Sequence, residues 1–268
     1  MNRIGPILLL TVTVAACAPA LREPPSLAEL SGGNGAHTGA SYDRALADAA
    51  LLWMERTPYS VRQASLAFLR IAESNPDRIE PLREAVRAEV WLADRAPDEV
   101  SRREAAVRAV QAAQWCGRRS PDDPACDYWL AVALGVQARE RRATGLDALP
   151  RIVELLQRAT EAAPAIEHAG PHRVLALVLL RAPGWPRGPG DPDLALEYAR
   201  SAVEIDPGYP PNRLCLAEAL RETEDLAGSV NAYREAESAA RRSADPDATR
   251  WVDTAAEGLA SLLADTTD

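Results

Sequence analysis

His168 and His172 have the spacing that comes nearest to a metal site in this sequence. Two histidines four residues apart can bind zinc when both lie on one face of a helix. Gly170-Pro171 stands between them and indicates that a helix begins there, so the two rings would straddle a helix start. We therefore predict no metal site at these histidines.

The stretch after residue 187 has acidic and glycine residues that could hold calcium or phosphate. Asp191, Asp193 and Glu197 resemble part of a calcium loop, but Asp191-Pro192 is also the pattern of a helix N-cap, and we favour the cap. Gly188-Pro-Gly190 is a weak phosphate-loop candidate, because no predicted strand precedes it and the sequence has no lysine. No nucleophile elbow or zinc-binding motif occurs. We predict a binding protein without catalytic residues, metal or cofactor.

The N-terminal residues have the features of a bacterial export signal. Arg3 supplies a positive charge, and Ile7 to Val14 is an apolar run shorter than the roughly 20 residues that span a bilayer. Val14-Ala15-Ala16-Cys17 resembles the bacterial lipobox, whose cysteine is acylated and becomes the mature N-terminus. The alternative is a plain secreted protein in which Cys17 is incidental. We expect residues 1–16 to be a lipoprotein signal peptide and Cys17 to be lipidated.

Lipidation would place the protein in the cell envelope, anchored on the periplasmic side. Ala18 is not the aspartate that retains lipoproteins on the inner membrane, so the outer membrane is favoured. Residues 17–40 carry prolines and the run Gly32-Gly33-Asn34-Gly35, without helical periodicity. They are predicted to be a flexible tether with a reach of roughly 25–30 Å. The folded domain is then expected over residues 41–265.

Cys116 and Cys126 are separated by a turn between two predicted helices. Because export brings them into an oxidising compartment, we predict a disulfide, which would add about 2–3 kcal/mol to stability. The alternative is that both are small buried residues. Cys215 lies in an apolar helix and is predicted to be a core residue.

The formal net charge of −9 excludes one class of partner. Binding along nucleic acid needs a basic surface that releases counterions, and this chain is acidic. With 47% hydrophobic residues the chain can form a sizeable core. We therefore expect no nucleic-acid partner. Contact with the membrane is expected through the lipid anchor alone.

After Ser41 the apolar periodicity is helical almost throughout, which predicts an all-α fold. Five alanine-rich segments repeat with similar apolar spacing, each preceded by another helix, in units of about 40 residues. These segments are Gln63–Pro76, Glu104–Cys116, Arg151–Pro164, Asp193–Pro207 and Ser229–Ala240. Asp245-Pro246 is predicted to open a last helix, through Leu263, that caps the stack.

The segment from Leu196 to Pro207 closely resembles the second helix of a tetratricopeptide repeat (TPR). Ala195 and Ala202 stand where helices of such repeats pack closely, and Pro207 ends the helix. The units are longer than 34 residues and lack the full first-helix motif. The resemblance implies an α-solenoid of degenerate TPR-like repeats.

Trp185 lies in the proline- and glycine-rich segment from Ala182 to Asp191, between two predicted helices. A tryptophan on a stiff loop loses little entropy on binding and is typical of interface hot spots. We predict that Trp185 anchors a partner or ligand, with Tyr209 and Asn212 in the following turn sharing the site. The alternative is that Trp185 folds back on its own repeat.

Several segments together resemble the TPR lipoprotein subunit, or T-component, associated with tripartite ATP-independent periplasmic (TRAP) transporters. They are Leu51–Arg56, Cys126–Gly135, Gly170–Ala176, Ala182–Asp191 and Tyr209–Glu218, within roughly residues 41–241. The resemblance implies an accessory subunit that pairs with a periplasmic solute-binding protein and holds an apolar small molecule, and it allows a homo-oligomer. The alternative is a TPR lipoprotein scaffold for outer-membrane or cell-envelope assembly, with a protein partner and no solute. A third class, an enzyme built on a helical stack, would need a polar catalytic cluster.

Overall fold

The computed structural model describes residues 21–32, 41–140 and 142–265. The predicted signal peptide, Cys17 and residues 18–20 and 33–40 of the predicted tether lie outside these ranges.

Within the described ranges the chain forms helices and a single isolated β-bridge, without a named strand, so the all-α prediction is confirmed. None of these helices combines the length and the apolar character needed to span a membrane. The helices are α1 (Leu27–Leu30), α2 (Tyr42–Met54), α3 (Pro58–Ser74), α4 (Glu80–Arg95), α5 (Glu99–Arg119), α6 (Pro124–Glu140), α7 (Arg142–Ala162), α8 (Ile166–Arg181), α9 (Pro192–Ile205), α10 (Pro210–Glu222), α11 (Leu226–Arg241) and α12 (Ala248–Asp265).

The five segments predicted to repeat correspond to α3, α5, α7, α9 and α11, and each is preceded by another helix. The repeat prediction is therefore confirmed. The largest error in a boundary is at α7, which begins at Arg142 rather than Arg151. Helix α7 continues through Pro150, although proline disfavours a helix interior.

One of the two predicted Asp-Pro helix starts is confirmed. Asp191 is the N-cap of α9, where its carboxylate accepts a hydrogen bond from the Leu194 amide at 3.0 Å and Pro192 follows at the first helical position. Asp245 instead accepts the amide of Asp247 at 2.8 Å, and α12 begins only at Ala248. The final helix is present, but Asp245 belongs to the turn before it.

The helices form two layers. From α2 onward each helix packs against the next one along the chain, and contacts between alternate even-numbered helices join α4 to α6, α6 to α8, α8 to α10 and α10 to α12. The even-numbered helices therefore line the inner face of the solenoid, and the alanine-rich odd-numbered helices lie outside. Alanines with no exposed surface, including Ala85, Ala105, Ala131 and Ala199, allow close approach of neighbouring helices.

Part of the predicted flexible tether is folded. Residues 26–29 form a capping box, in which Ser26 and Glu29 each accept a hydrogen bond from the backbone of the other. Leu27 and Leu30 are only 5% and 6% exposed because α1 packs on α3. The tether prediction is therefore wrong for this part of the chain. The Ser26-x-x-Glu29 pattern ahead of Leu30 was the sequence signal for it.

Candidate functional site

The loop between α8 and α9 displays Trp185. Its side chain is 89% exposed, more than any other large hydrophobic residue described. The loop is nevertheless held by its own backbone: the Gly190 amide donates to the Pro183 carbonyl at 3.0 Å, and the Arg187 amide donates to the Gly184 carbonyl at 3.1 Å. The peptide bond between Trp185 and Pro186 is cis.

Glycine is required where this loop folds back on itself. A Cβ atom at Gly188 would lie 2.6 Å from the Pro183 carbonyl oxygen, and one at Gly190 would overlap the carbonyl of Ala182. These close approaches explain the Gly188-Pro-Gly190 pattern structurally, without a bound phosphate. The loop therefore presents Trp185 from an ordered backbone, outside the helix faces.

Asn212 does not share a site with Trp185. It is fully buried at the start of α10, where its amide nitrogen donates to the carbonyls of Ala202 at 2.9 Å and Asp206 at 3.0 Å. Its side-chain oxygen accepts a hydrogen bond from Arg173 at 2.7 Å. Asn212 thus satisfies carbonyls at the end of α9, and the structure does not support its predicted role in partner binding.

Tyr209 also lies apart from Trp185, because the α8–α9 and α9–α10 connections are at opposite ends of α9, roughly 20 Å apart for a helix of 14 residues. The Tyr209 ring stacks on His168 with 4.3 Å between ring centroids and meets Trp251 edge-on at 5.5 Å. Burial raises the pKa of Tyr209 above its usual value. Tyr209 therefore belongs to a separate cluster on the inner face.

This inner cluster includes a strained turn that sequence reasoning missed. Glu167, His168 and Ala169, at the start of α8, have φ of 48°, 58° and 61°, a left-handed conformation that is costly for residues other than glycine. Arg173 holds the turn by donating hydrogen bonds to the carbonyls of His168 at 2.9 Å and Glu167 at 3.3 Å. The next residue, Gly170, has no room for a side chain, because a Cβ atom there would lie 2.6 Å from the Tyr128 hydroxyl.

A cavity of about 360 Å³ lies beside this turn. An ion pair and a hydrogen-bonded pair line it: Arg87 with Glu167 at 3.0 Å, and His168 Nδ1 with the Asp206 carboxylate at 2.7 Å. The other lining residues are alanines and Ile205, so the cavity suits a polar group and has no serine, threonine or cysteine nucleophile among its lining residues. These pairs join residues up to 80 positions apart, and no local pattern in the sequence could have indicated them.

His168 and His172, the two histidines with the spacing of metal ligands, contact different neighbours. His168 pairs with Asp206, whereas the His172 ring lies against Tyr198 with 5.9 Å between centroids. Burial lowers the pKa of His172 below its usual value. Among the described residues, no three or more histidine, cysteine, aspartate or glutamate side chains are grouped so that they could hold a metal ion.

Ion pairs join the two ends of the solenoid across its inner face. Asp247, just before α12, lies 3.4 Å from Arg56, which follows α2, and 3.4 Å from Arg95 at the end of α4. Arg250 and Asp94 form a further pair at 3.0 Å. The C-terminal helix therefore covers part of the inner face of the first repeats. The continuous exposed face expected of stacked helix pairs is interrupted there.

The structure joins Cys116, in the last turn of α5, to Cys126, in the first turn of α6, by a disulfide with 5.4 Å between the Cα atoms. Cys215 is buried on α10, as predicted for a core residue. Its burial raises the pKa of the thiol to about 12.

Comparison with solved structures supports the same fold. A thermophilic TPR protein from Thermus thermophilus superposes with a TM-score of 0.61 at 20% sequence identity, over 80% of this chain and 98% of that one. MamA from Desulfovibrio magneticus RS-1 gives a TM-score of 0.48 at 16% identity, over 77% of this chain and 98% of that one. No protein-family model and no curated protein matches the sequence. From its helices, its repeats and the first of these structures, the chain has the all-α helical-repeat fold of TPR proteins.

Proposed function

We propose that this protein is a lipid-anchored binding scaffold of the cell envelope, which holds a protein partner through the Trp185 loop. The exposure of Trp185, 89% on an ordered backbone, is the observation that carries the proposal. A large aromatic side chain left in water has a favourable free energy of burial that only a partner can realise. Little of that gain is lost to ordering the loop, because the loop is already fixed by its own hydrogen bonds.

The covered inner face also favours this loop as the docking site. The first repeats meet the start of α12 through Asp247 and Arg250, so a partner would have to displace those ion pairs to reach them. A partner can reach Trp185 without displacing any of these ion pairs. Partner binding at the loop is therefore compatible with the closed arrangement of the solenoid.

The proposed partner is a periplasmic solute-binding protein, with this chain acting as an accessory subunit in TRAP-type transport. The support for this finer step is the T-component resemblance, which includes the Ala182–Asp191 segment that displays Trp185. The proposed location is the periplasmic side of the membrane, with the outer membrane favoured. The apolar solute that the resemblance implies has no support from the cavity beside His168, which is lined by charged side chains.

Co-purification with Trp185→Ala tests the proposal, with Tyr59→Ala as a matched control because Tyr59 is another exposed aromatic residue, 75% exposed at the start of α3. Loss of an anchor should cost at least about 2 kcal/mol of binding, a factor of roughly 30 in Kd. The melting temperature should hardly change, since the buried tenth of the side chain contributes about 0.7 kcal/mol at most.

Retention of the partner by Trp185→Ala, or equal loss in both variants, would contradict the proposal. Mass spectrometry of the captured protein then distinguishes a transport subunit from a scaffold for cell-envelope assembly. A solute-binding protein supports transport, as do neighbouring solute-binding and permease genes. A cell-envelope assembly protein captured at the same loop would replace transport by the scaffold alternative.

A further inference from the structure

The residues ahead of α1 are fixed to the end of α5 by specific hydrogen bonds. The Gln114 side chain donates to the Arg22 carbonyl at 2.9 Å, and the Trp115 indole nitrogen donates to the Pro25 carbonyl at 2.8 Å. With the burial of Leu27 in the core, these contacts hold residues 21–31, which we call the docked segment, against the outer layer.

The docked segment runs along α5 in a defined direction. Glu23 pairs with Arg118 in the last turn of α5 at 3.3 Å, whereas the Leu30 carbonyl accepts a hydrogen bond from Arg108, near the middle of α5, at 3.4 Å. The chain therefore arrives at the C-terminal end of α5, beside the α5–α6 turn. A membrane anchor attached to the chain ahead of Leu21 would therefore hold the domain by this edge.

Trp185 is displayed at the opposite edge. Connections between consecutive helices alternate between the two edges of the stack, and the α8–α9 loop lies on the other side from the α5–α6 turn. The inner helices are also staggered, because Glu167 at the start of α8 meets Arg87 in the middle of α4. Half of the length of α4 added to the full length of α8 gives a separation of roughly 35 Å between the two edges.

We propose that the docked segment orients the domain on the membrane, with the α5–α6 turn toward the lipid surface and the Trp185 loop facing away from it. This inference rests on the proposed lipidation of Cys17. Cys17 precedes Leu21 by four residues, which reach at most about 14 Å. Leu21, at the C-terminal end of α5, is then held within about 14 Å of Cys17 at the membrane surface, and the Trp185 loop stands well beyond it, open to a periplasmic partner.

Energy transfer from the protein to the membrane surface tests this orientation. The full-length lipoprotein is purified without reductant and reconstituted in phosphatidylcholine vesicles that contain a headgroup-labelled acceptor lipid. A donor dye is attached to one introduced cysteine, either Asp122→Cys in the α5–α6 turn or Arg187→Cys in the Trp185 loop, both exposed positions. Transfer is expected to be severalfold more efficient from position 122 than from position 187.

Undocking variants complete the test. The double variant Leu27→Asp/Leu30→Asp should give equal transfer efficiencies from positions 122 and 187. Leu21→Asp, the same change at an exposed residue, should leave the two efficiencies different. Trp115→Phe removes the hydrogen bond to Pro25 and should narrow the difference even if the double variant unfolds.

Flotation of the vesicles is measured first, so that two failures can be told apart. Protein that does not float with the vesicles contradicts the lipid anchor, and with it the orientation. Floating protein with equal transfer from both positions, or higher transfer from position 187, overturns the orientation and leaves the anchor standing.

Discussion

Glu89 is the one acidic residue of the described chain that is fully buried within the helical stack, and its removal should lower stability sharply. Its carboxylate, on α4, accepts hydrogen bonds from Arg62 at 2.6 and 2.8 Å, Arg108 at 3.0 Å and Ser65 at 2.5 Å. The cluster joins α3, α4 and α5 from within. Glu89→Gln keeps the shape of the side chain and removes the charge that holds both arginines.

The size of the effect follows from the exposure of the partners. Removing one member of a fully buried ion pair costs about 3–5 kcal/mol, because the other charge is left without compensation. The Arg62 and Arg108 side chains are 25% and 27% exposed, so water compensates part of that loss. We expect Glu89→Gln to lower the free energy of unfolding by about 2–4 kcal/mol.

Thermal unfolding, monitored by circular dichroism, measures this loss. In a domain of this size the melting temperature should fall by about 2–4 °C for each kcal/mol. Glu73→Gln, on the exposed surface of α3, is the matched control and should be neutral. The triple replacement of Arg62, Glu89 and Arg108 by methionine should recover most of the stability, since no charge is then left unpaired. A drop of less than about 1 kcal/mol for Glu89→Gln would refute this reasoning.

Three further predictions concern a lipidated cysteine, the disulfide and a buried asparagine. Cys17→Ser should abolish incorporation of a clickable palmitate analogue and release the protein from membranes, and equal labelling of wild type and variant would exclude a lipid at Cys17. Peptide mapping without reductant should recover the Cys116–Cys126 linked pair from protein on the periplasmic side, whereas free thiols at both positions would argue against the bond. Asn212→Ala should lower the melting temperature, because it leaves two carbonyls and Arg173 without their partner, at a cost of about 2–3 kcal/mol. A melting temperature equal to that of the wild type would show that water replaces those bonds.

The helices could be predicted from the sequence because their signals are local. Apolar spacing identified the outer helices, and Asp191-Pro192 located the start of α9. The same reasoning placed the start of α7 at Arg151, whereas the helix begins at Arg142 and continues through Pro150. It also overlooked the Ser26-x-x-Glu29 capping box, since the surrounding prolines and glycines suggested a tether.

The candidate sites were predictable only where exposure follows from local composition. A tryptophan among prolines and glycines indicated a displayed side chain, and Trp185 is displayed. Closeness in sequence was a poor guide for Tyr209 and Asn212, because one intervening helix carries them to the other edge of the stack. The pairs Arg87–Glu167 and Arg56–Asp247 depend on the superhelical path of the whole chain, which no single repeat encodes.

Photo-crosslinking in cells shows whether the Trp185 loop contacts a partner. A photoreactive phenylalanine analogue is placed at position 185 of the full-length protein, and at position 59 as the control, since both side chains are exposed. We expect a crosslink to one cell-envelope protein from position 185 and none to that protein from position 59. No crosslink from position 185, or the same products from both positions, would contradict the Trp185 loop as the partner-binding site.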